Sequence, residues 1–141
     1  VGWHVTPSLE AEGAVQSLKM ALKLHDTTAG SLIHHSDHGV QYTSRVYMSL
    51  LIDHKVRASM GEIGNCYDNI YAERVIGTLK NEYLLGDRFV DLRQVQIATK
   101  QAILAYNTDR PHLSLSFGIP IEVFFSSSLS IPSVLIPEKV S

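Results

Sequence analysis

Two acidic residues, Asp37 and Glu73, lie in the stretch of the chain that is richest in short polar motifs. Asp37 follows the run Leu32 to Ser36 and precedes Gly39, which is the pattern of a buried strand that ends in a turn. A carboxylate at a strand end projects from the core while the strand holds it in place. Carboxylate oxygens are the ligands that Mg²⁺ prefers, so the pair could hold a divalent cation for phosphoryl transfer on nucleic acid.

Glu73 lies near the start of a segment whose apolar residues recur with the period of a helix. Either Asp68 or Asn69 can cap this helix. Glu73, Ile76 and Lys80 follow at positions i, i+3 and i+7, so the acid and the lysine share one stripe. Lys80 is therefore either a surface lysine paired with Glu73 or a contact to a phosphate near the reacting bond, and both readings stay open. The apolar residues of the helix are Ala72, Val75, Ile76, Leu79 and Tyr83.

Simpler readings of the same residues involve no metal. An aspartate after a strand most often forms a turn or caps a helix, and a helical glutamate is most often solvated. His34 and His35 raise the alternative of a zinc site next to Asp37. Adjacent residues of a strand point to opposite faces, which disfavours a single ion bound by both histidines. The metal hypothesis therefore depends on motifs elsewhere in the chain.

The first quarter of the chain predicts a strand end followed by a long helix. Val1 to Thr6 has the pattern of a strand that stops at Pro7. Ser8 can cap a helix from about Leu9 to Leu24. Its apolar face would pack on a sheet and consists of Ala11, Ala14, Val15, Leu18, Ala21 and Leu22.

The segment around Asp37 predicts a strand, a helix and a second strand, which together make a crossover unit. The first strand is Leu32 to Ser36, and Thr43 or Ser44 caps a helix that ends near His54. Lys55 to Met60 alternates between apolar and polar residues, as a half-buried strand does. The residues predicted to face inward are Val46, Tyr47, Leu50 and Leu51 of the helix, and Val56, Ala58 and Met60 of the strand.

The later part of the chain predicts a loop beside the site and one more long helix. Gly61 to Asn65 has two glycines in a short span, which suits a mobile loop through which a substrate enters and leaves. Asp91 and Gln94 have the form of a capping box, and the helix they open should end near Asn107. We expect it to turn inward Leu92, Val95, Ala98, Ala102, Ile103 and Tyr106.

Length and composition fit one ordinary globular domain. The chain has 141 residues, of which 45% are hydrophobic and 18% charged. We expect a domain over residues 1–125 and a loose serine-rich tail over residues 126–141. The single cysteine, Cys66, excludes an internal disulfide. We expect no membrane span and no signal peptide, and hence a cytoplasmic location.

The net charge of the chain is −2, which disfavours a general nucleic-acid binder, since such proteins are usually basic. Metal ions bound by Asp37 and Glu73 would offset part of this charge. Phosphate contacts need only a local basic surface. The candidates for such a surface are Arg45, Lys55, Arg57, Arg74 and Lys80.

Several motifs occur together in one order along the chain. As a set they resemble the catalytic core of insertion-sequence transposases of the IS-three kind, which are relatives of retroviral integrases. The resemblance runs from about Val1 to Phe124. The motifs that carry it are His34-His35-Ser36-Asp37-His38-Gly39-Val40-Gln41-Tyr42, Ser59-Met60, Gly64-Asn65-Cys66-Tyr67-Asp68-Asn69, Glu73 with Leu79-Lys80-Asn81-Glu82, and Tyr106-Asn107-Thr108-Asp109-Arg110-Pro111-His112.

The resemblance implies an α/β fold of the ribonuclease H-like, integrase-core type. In that family an Asp, a second Asp and a Glu bind two Mg²⁺ ions, with Mn²⁺ as a substitute; Asp37 matches the second acid and Glu73 the third. The partner implied is DNA, both transposon ends and target. His34 or His35 would line the site, and the residues that would contact DNA are His35, Asn65, Asn69, Arg74 and Lys80. Arg110 and His112 are expected to tie the last long helix to the core.

The first acid of the family belongs to a strand that would precede Val1. We therefore expect an incomplete fold that lacks the first two strands, and a truncated chain that is inactive alone. The alternative is an inactive remnant that acts as a self-associating or nucleic-acid-binding module. In either case the resemblance implies a homo-oligomer.

Overall fold

A computed structural model describes residues 1–24, 32–61 and 69–126. The described residues form six α-helices, two β-strands and a short 3-10 turn. In chain order the elements are α1 (Ala11–Leu22), β1 (Ile33–Ser36), α2 (Val40–Thr43), α3 (Arg45–Asp53), β2 (Arg57–Met60), α4 (Ile70–Asn81), α5 (Leu92–Thr108), the 3-10 turn (Leu113–Leu115) and α6 (Pro120–Ser126).

The two strands lie side by side and run parallel, so the predicted crossover unit is confirmed. His34 is paired with Ala58 and His35 with Ser59. Parallel neighbours need a connection that returns the chain to the same end of the sheet, and α2 and α3 provide it. Helix α3 begins after Ser44, whose hydroxyl accepts a hydrogen bond from the Tyr47 backbone N–H, as predicted for a cap.

The core lies between α1, α3 and Val56, the residue just before β2. The face of α1 that its apolar period predicts is the buried one. Two side chains, Val15 and Leu51, are buried most completely, each with 2% of its surface exposed. The full cluster consists of Val15, Leu18, Leu22, Tyr47, Leu51 and Val56.

The strand predicted for Val1 to Thr6 is wrong, because the structure has no strand there. No described strand lies beside this segment to accept its backbone hydrogen bonds, and a lone strand is not stable. The segment instead lies against α1: a Cβ added to Gly2 would stand 2.0 Å from the Ser17 carbonyl oxygen. Glycine is required at such a close approach of two backbones.

The predicted start of α1 is also too early. The helix begins at Ala11, with Glu10 rather than Ser8 at the N-cap position. The Ser8 hydroxyl accepts from the Glu10 N–H at 3.3 Å, which makes a local turn before the helix. The hydroxyl thus satisfies a backbone group outside the helix.

Two side chains of the crossover unit that were predicted to face inward are exposed. Val46 in α3 has 62% of its surface exposed, and Ala58 in β2 is also open to solvent. Tyr47 and Leu51 of the same helix are buried. The buried stripe of α3 is therefore narrower than its apolar pattern, since the helix packs on α1 along one side only.

The second half of the described chain is packed more thinly. In α4 no residue is buried, and in α5 only Ala102 is. The face of α5 that was expected to point inward is thus mostly half-exposed, and Leu92 has 39% of its surface exposed. Asp91 does cap α5, accepting from the Gln94 N–H at 2.7 Å, while Gln94 accepts from the Val90 N–H, so the reciprocal cap is confirmed in modified form.

The end of α5 is tied to the end of α4, as predicted for Arg110. The Arg110 guanidinium forms a forked ion pair with the carboxylate of Glu82, and its Nη2 donates to Oε1 at 3.1 Å. The His112 ring lies edge-on to Tyr106 with centroids 4.8 Å apart.

Helix α6, which was not predicted, packs on α5. Residues 127–141, most of the predicted tail, lie outside the described residues.

Gly77 in the middle of α4 offers a direct test of this packing. A Cβ added there would meet nothing within 4 Å. Alanine costs less backbone entropy in a helix than glycine, so Gly77→Ala should raise the free energy of unfolding by about 1 kcal/mol. Urea unfolding followed by circular dichroism measures the change.

Gly13 in α1 is the matched control for that substitution. Its added Cβ would stand 2.7 Å from the Thr6 Cγ2 atom. Gly13→Ala should therefore gain less stability than Gly77→Ala, or lose some. Equal gains at both positions would contradict the described packing.

No helix in residues 1–24, 32–61 and 69–126 is long and apolar enough to cross a membrane.

Candidate active site

Asp37 is exposed directly after β1, at the carboxyl end of the two parallel strands. Its Oδ1 accepts a hydrogen bond from the Gly39 N–H at 2.9 Å. A Cβ on Gly39 would lie 2.9 Å from that oxygen and 2.6 Å from Nε2 of Gln41. Glycine therefore leaves room for the turn that fixes this carboxylate, and α2 begins with the next residue.

The strand that carries Asp37 is joined to α3 by a partly buried polar contact. Nε2 of His34 lies 2.8 Å from the Tyr47 hydroxyl. The Tyr42 ring stands edge-on to Tyr47, with centroids 5.4 Å apart, and completes the cluster. Burial, with a smaller contribution from Tyr42, raises the pKa of Tyr47 to about 12, so the phenol stays neutral and can donate.

Burial lowers the pKa of His34, because the imidazolium form would lose its hydration. The unfolded chain then binds a proton more readily than the folded chain does. Stability from this group is present above the ordinary pKa of 6.5 and is lost as the pH falls below that value towards the lowered pKa.

The pH dependence of unfolding should therefore weaken in a His34→Gln variant. Urea unfolding of both proteins, from about pH 8 down to about pH 5, measures the slopes. The wild type should lose more stability on acidification than the variant. Identical slopes would show that His34 titrates alike in the folded and unfolded chains.

Glu73 is exposed in the first turn of α4. A carboxylate there interacts favourably with the positive end of the helix dipole. Asn69 occupies the N-cap position as predicted, but its side chain makes no capping hydrogen bond. Asp68, the other predicted cap, and Asn65, a predicted DNA contact, lie outside the described residues.

Lys80 ends the stripe that begins at Glu73 and lies in the last turn of α4. Within the described part of the chain, no acid pairs with the Lys80 ammonium, so of the two readings of Lys80 the pairing with Glu73 is not observed. Arg74 lies on another side of the helix: its charge, like that of Arg110, opposes the rise that burial causes in the pKa of Tyr106. The stripe of Glu73 and Lys80 is therefore open to a ligand.

His35 points to the opposite face of the sheet from His34, as the strand alternation predicts. Its Nδ1 lies 3.0 Å from Oγ of Ser59 on β2. Two aspects of this region were not predicted: the contact between His34 and Tyr47, and helix α2. Neither has a periodic signal in the sequence. The contact joins two elements that are separate in the chain, and helix α2 is a single short turn.

The described residues offer part of the ligand set that a divalent cation needs. The carboxylates of Asp37 and Glu73 are exposed, and neither forms an ion pair within the described residues. Hard cations such as Mg²⁺ prefer this ligand type. Among the described residues, no three His, Cys, Asp or Glu side chains come together as a metal-binding group. The chemistry of the two carboxylates therefore fits such an ion, while the described part supplies an incomplete ligand set.

The sequence of this chain is similar to those of known proteins. Residues 54–119 match the family model described as integrase core domain. Over 132 residues, 92% of this chain, the sequence is 33% identical to transposase InsF of insertion sequence IS3A from Escherichia coli K12. It is 40% identical over 88 residues to a protein from the same strain named as transposase InsK of insertion sequence element IS150. The chain spans 45% of the length of InsF and 31% of that of InsK.

The fold is similar to that of the catalytic core domain of BIV integrase. The crystal structure of that domain matches 89% of this chain with a TM-score of 0.67 and 20% sequence identity. The predicted α/β, ribonuclease H-like fold class is thereby confirmed. The chain is therefore similar to integrase core domains at residues 54–119 and is related, over most of its length, to transposases of the IS3 kind.

Proposed function

We propose that this chain carries part of the active site of a DNA transposase, which cleaves and joins DNA strands with the help of a divalent cation. The observation that supports this most is the placement of two exposed carboxylates, Asp37 after a core strand and Glu73 in the first turn of a helix, within a sequence related to IS3 and IS150 transposases. The relatives are transposases by name, and we infer the activity on that basis.

Asp37 and Glu73 would hold the cation, which we expect to be Mg²⁺ or Mn²⁺. When bound, such an ion makes an attacking oxygen more nucleophilic and stabilises a leaving oxygen of the phosphodiester. The protein contributes orientation: the Gly39 N–H fixes one Asp37 oxygen, which leaves the other free. Phosphate oxygens and water would complete the ligand set.

Lys80 would position the DNA. Its ammonium follows Glu73 on the same stripe of α4 and pairs with no acid in the described residues, so it can meet a phosphate. His35, Asn69 and Arg74 remain predicted DNA contacts, and Asn65 remains one by sequence alone. A DNA substrate also agrees with the expected cytoplasmic location.

The experiment that tests the proposal combines binding and chemistry. A protein that carries this chain is mixed with DNA that ends in its own insertion-sequence terminus, with and without Mg²⁺ or Mn²⁺. We expect cation-dependent nicking at the terminus and joining of the freed 3′ hydroxyl to a second DNA. Nicking that is equally fast in the presence of a chelator would refute the role of the cation.

A second candidate is a self-associating module without catalysis. The observation that favours it is the two-stranded sheet: among the described residues, each strand has one partner, so each has an edge open for pairing. Two copies could cover these edges, which agrees with the expected homo-oligomer. Light scattering after size-exclusion chromatography would show a dimer, whereas a monomer at all concentrations would count against this candidate.

A further inference from the structure

A glutamine side chain lies next to Asp37 and has no role in the site described above. The point that a Cβ on Gly39 would occupy is 2.9 Å from Oδ1 of Asp37 and 2.6 Å from Nε2 of Gln41. The carboxylate and the nitrogen end of the amide are therefore close neighbours. Glycine between them leaves this space open, because any larger residue would place an atom there.

The backbone that carries Gln41 is held on both sides. The Gly39 carbonyl accepts a hydrogen bond from the Tyr42 N–H at 2.9 Å, which helps to close the single turn of α2. The Ser44 hydroxyl donates to the Gln41 carbonyl at 2.9 Å. The Tyr42 ring packs edge-on against the buried ring of Tyr47. The location of the amide therefore depends only on the torsions of its own side chain.

The carboxamide of Gln41 has no hydrogen-bond partner among residues 1–24, 32–61 and 69–126. The side chain is half-buried but not enclosed, since in these ranges only Nε2 of His112 is both fully buried and unpartnered. The amide can therefore be reached from solvent. It offers two N–H donors and one acceptor oxygen, and the donor end lies nearer Asp37. These donors are free to bind a ligand.

The Asp37 carboxylate limits what this ligand can be. Its Oδ1 accepts from the Gly39 N–H at 2.9 Å, so the other oxygen is the one proposed to bind the cation. The remaining ligands of such a cation would be oxygens of water and of a DNA phosphate. An N–H donor beside the site favours the charged phosphate oxygen, because hydrogen bonds to ionised acceptors are the stronger ones.

We propose that Gln41 is a substrate-binding residue: its side-chain amide donates a hydrogen bond to a non-bridging oxygen of the DNA phosphate held by the cation at Asp37. The inference rests on the proposed function for both the cation and the DNA. It gives the turn after β1 two tasks, since Asp37 binds the cation and Gln41, four residues later, orients the phosphate.

The test measures DNA affinity and does not depend on activity. A protein that carries this chain is added, with Mn²⁺, to a fluorescent duplex that ends in its own insertion-sequence terminus, and anisotropy gives the dissociation constant. Gln41→Ala should weaken binding about tenfold, because a hydrogen bond to a charged oxygen is lost. Gln41→Glu keeps the length of the side chain and should weaken binding further, since a carboxylate would face the phosphate. Gln101→Ala, at an exposed glutamine of α5, should bind like the wild type.

A modified DNA locates the contact. In a methylphosphonate duplex, a methyl group replaces one non-bridging oxygen of the phosphate at the cleavage position, and the two stereoisomers are measured separately. With the isomer that lacks the oxygen bound by Gln41, Gln41→Ala should cause no further loss of affinity, because the interaction is already gone. The same tenfold loss with both isomers would place the contact elsewhere and overturn the proposal.

Two other results would overturn the role of Gln41 alone. One is a Gln41→Ala variant that binds DNA as tightly as the wild type, which would make the residue a solvated glutamine. The other is a Gln41→Ala variant whose Mn²⁺ affinity without DNA falls as that of Asp37→Asn should, which would mean that the amide acts on the carboxylate. An Asp37→Asn variant with wild-type Mn²⁺ affinity would instead overturn the cation site and this inference together. Circular dichroism confirms that each variant is folded.

Discussion

Replacing Asp37 with asparagine should lower the affinity for Mn²⁺ by about 100-fold or more, because it removes a charged ligand and leaves a neutral amide. The amide oxygen can still accept the hydrogen bond from the Gly39 N–H, which is 2.9 Å long in the wild type. The turn after β1 should therefore survive. Titration of the Mn²⁺ electron paramagnetic resonance signal, with and without a DNA duplex, measures the affinity.

The control for this variant is Asp87→Asn, which makes the same change in charge at another exposed acid. It should leave Mn²⁺ affinity unaltered. Glu73→Gln should weaken binding in the same direction as Asp37→Asn. If Asp37→Asn bound Mn²⁺ as tightly as the wild type, the carboxylate would be only a turn former, and the proposed metal site would be wrong.

Replacing Leu51 with alanine should cost about 2 to 5 kcal/mol of stability, since it opens a cavity at one of the two most completely buried side chains. Domains of this size are stable by only about 5 to 15 kcal/mol. The core cluster is small, so few neighbours can move in to fill the space. Urea unfolding followed by circular dichroism gives the loss.

The next residue of the same helix supplies the control. Ile52 has 70% of its surface exposed, compared with 2% for Leu51. Ile52→Ala should change stability by about 0.5 kcal/mol or less. Similar losses for both variants would mean that α3 presents a different face to the core.

The elements that the sequence predicts well are those with local signals. Helix α3 follows its Ser44 cap, and α5 follows its Asp91 cap; both caps depend on residues within three positions. The strands β1 and β2 have short β-like patterns between polar turns. The position of Asp37 at a strand end follows from the same local pattern.

The features that could not be predicted from the sequence depend on contacts between elements that are distant in the chain. Val46 has the right period for a buried face, yet burial requires a neighbour on that side, and α1 covers another part of α3. Val1 to Thr6 has a strand pattern, but a strand forms only where a second strand accepts its hydrogen bonds. His34 and Tyr47 are far apart in sequence, so nothing local signals their hydrogen bond.

The uneven burial of the chain has a consequence for how the molecule opens. The side chains of α1 and α3, together with Val56 just before β2, supply almost all of the described core, whereas α4 has no buried residue. Segments with little buried apolar surface open at a lower free energy than the whole domain. Amide protons of α4 should therefore exchange with heavy water well before those of α3. Glu73 would then lie on a helix that can separate from the domain and pack on it again, while Asp37 stays in place at the end of β1.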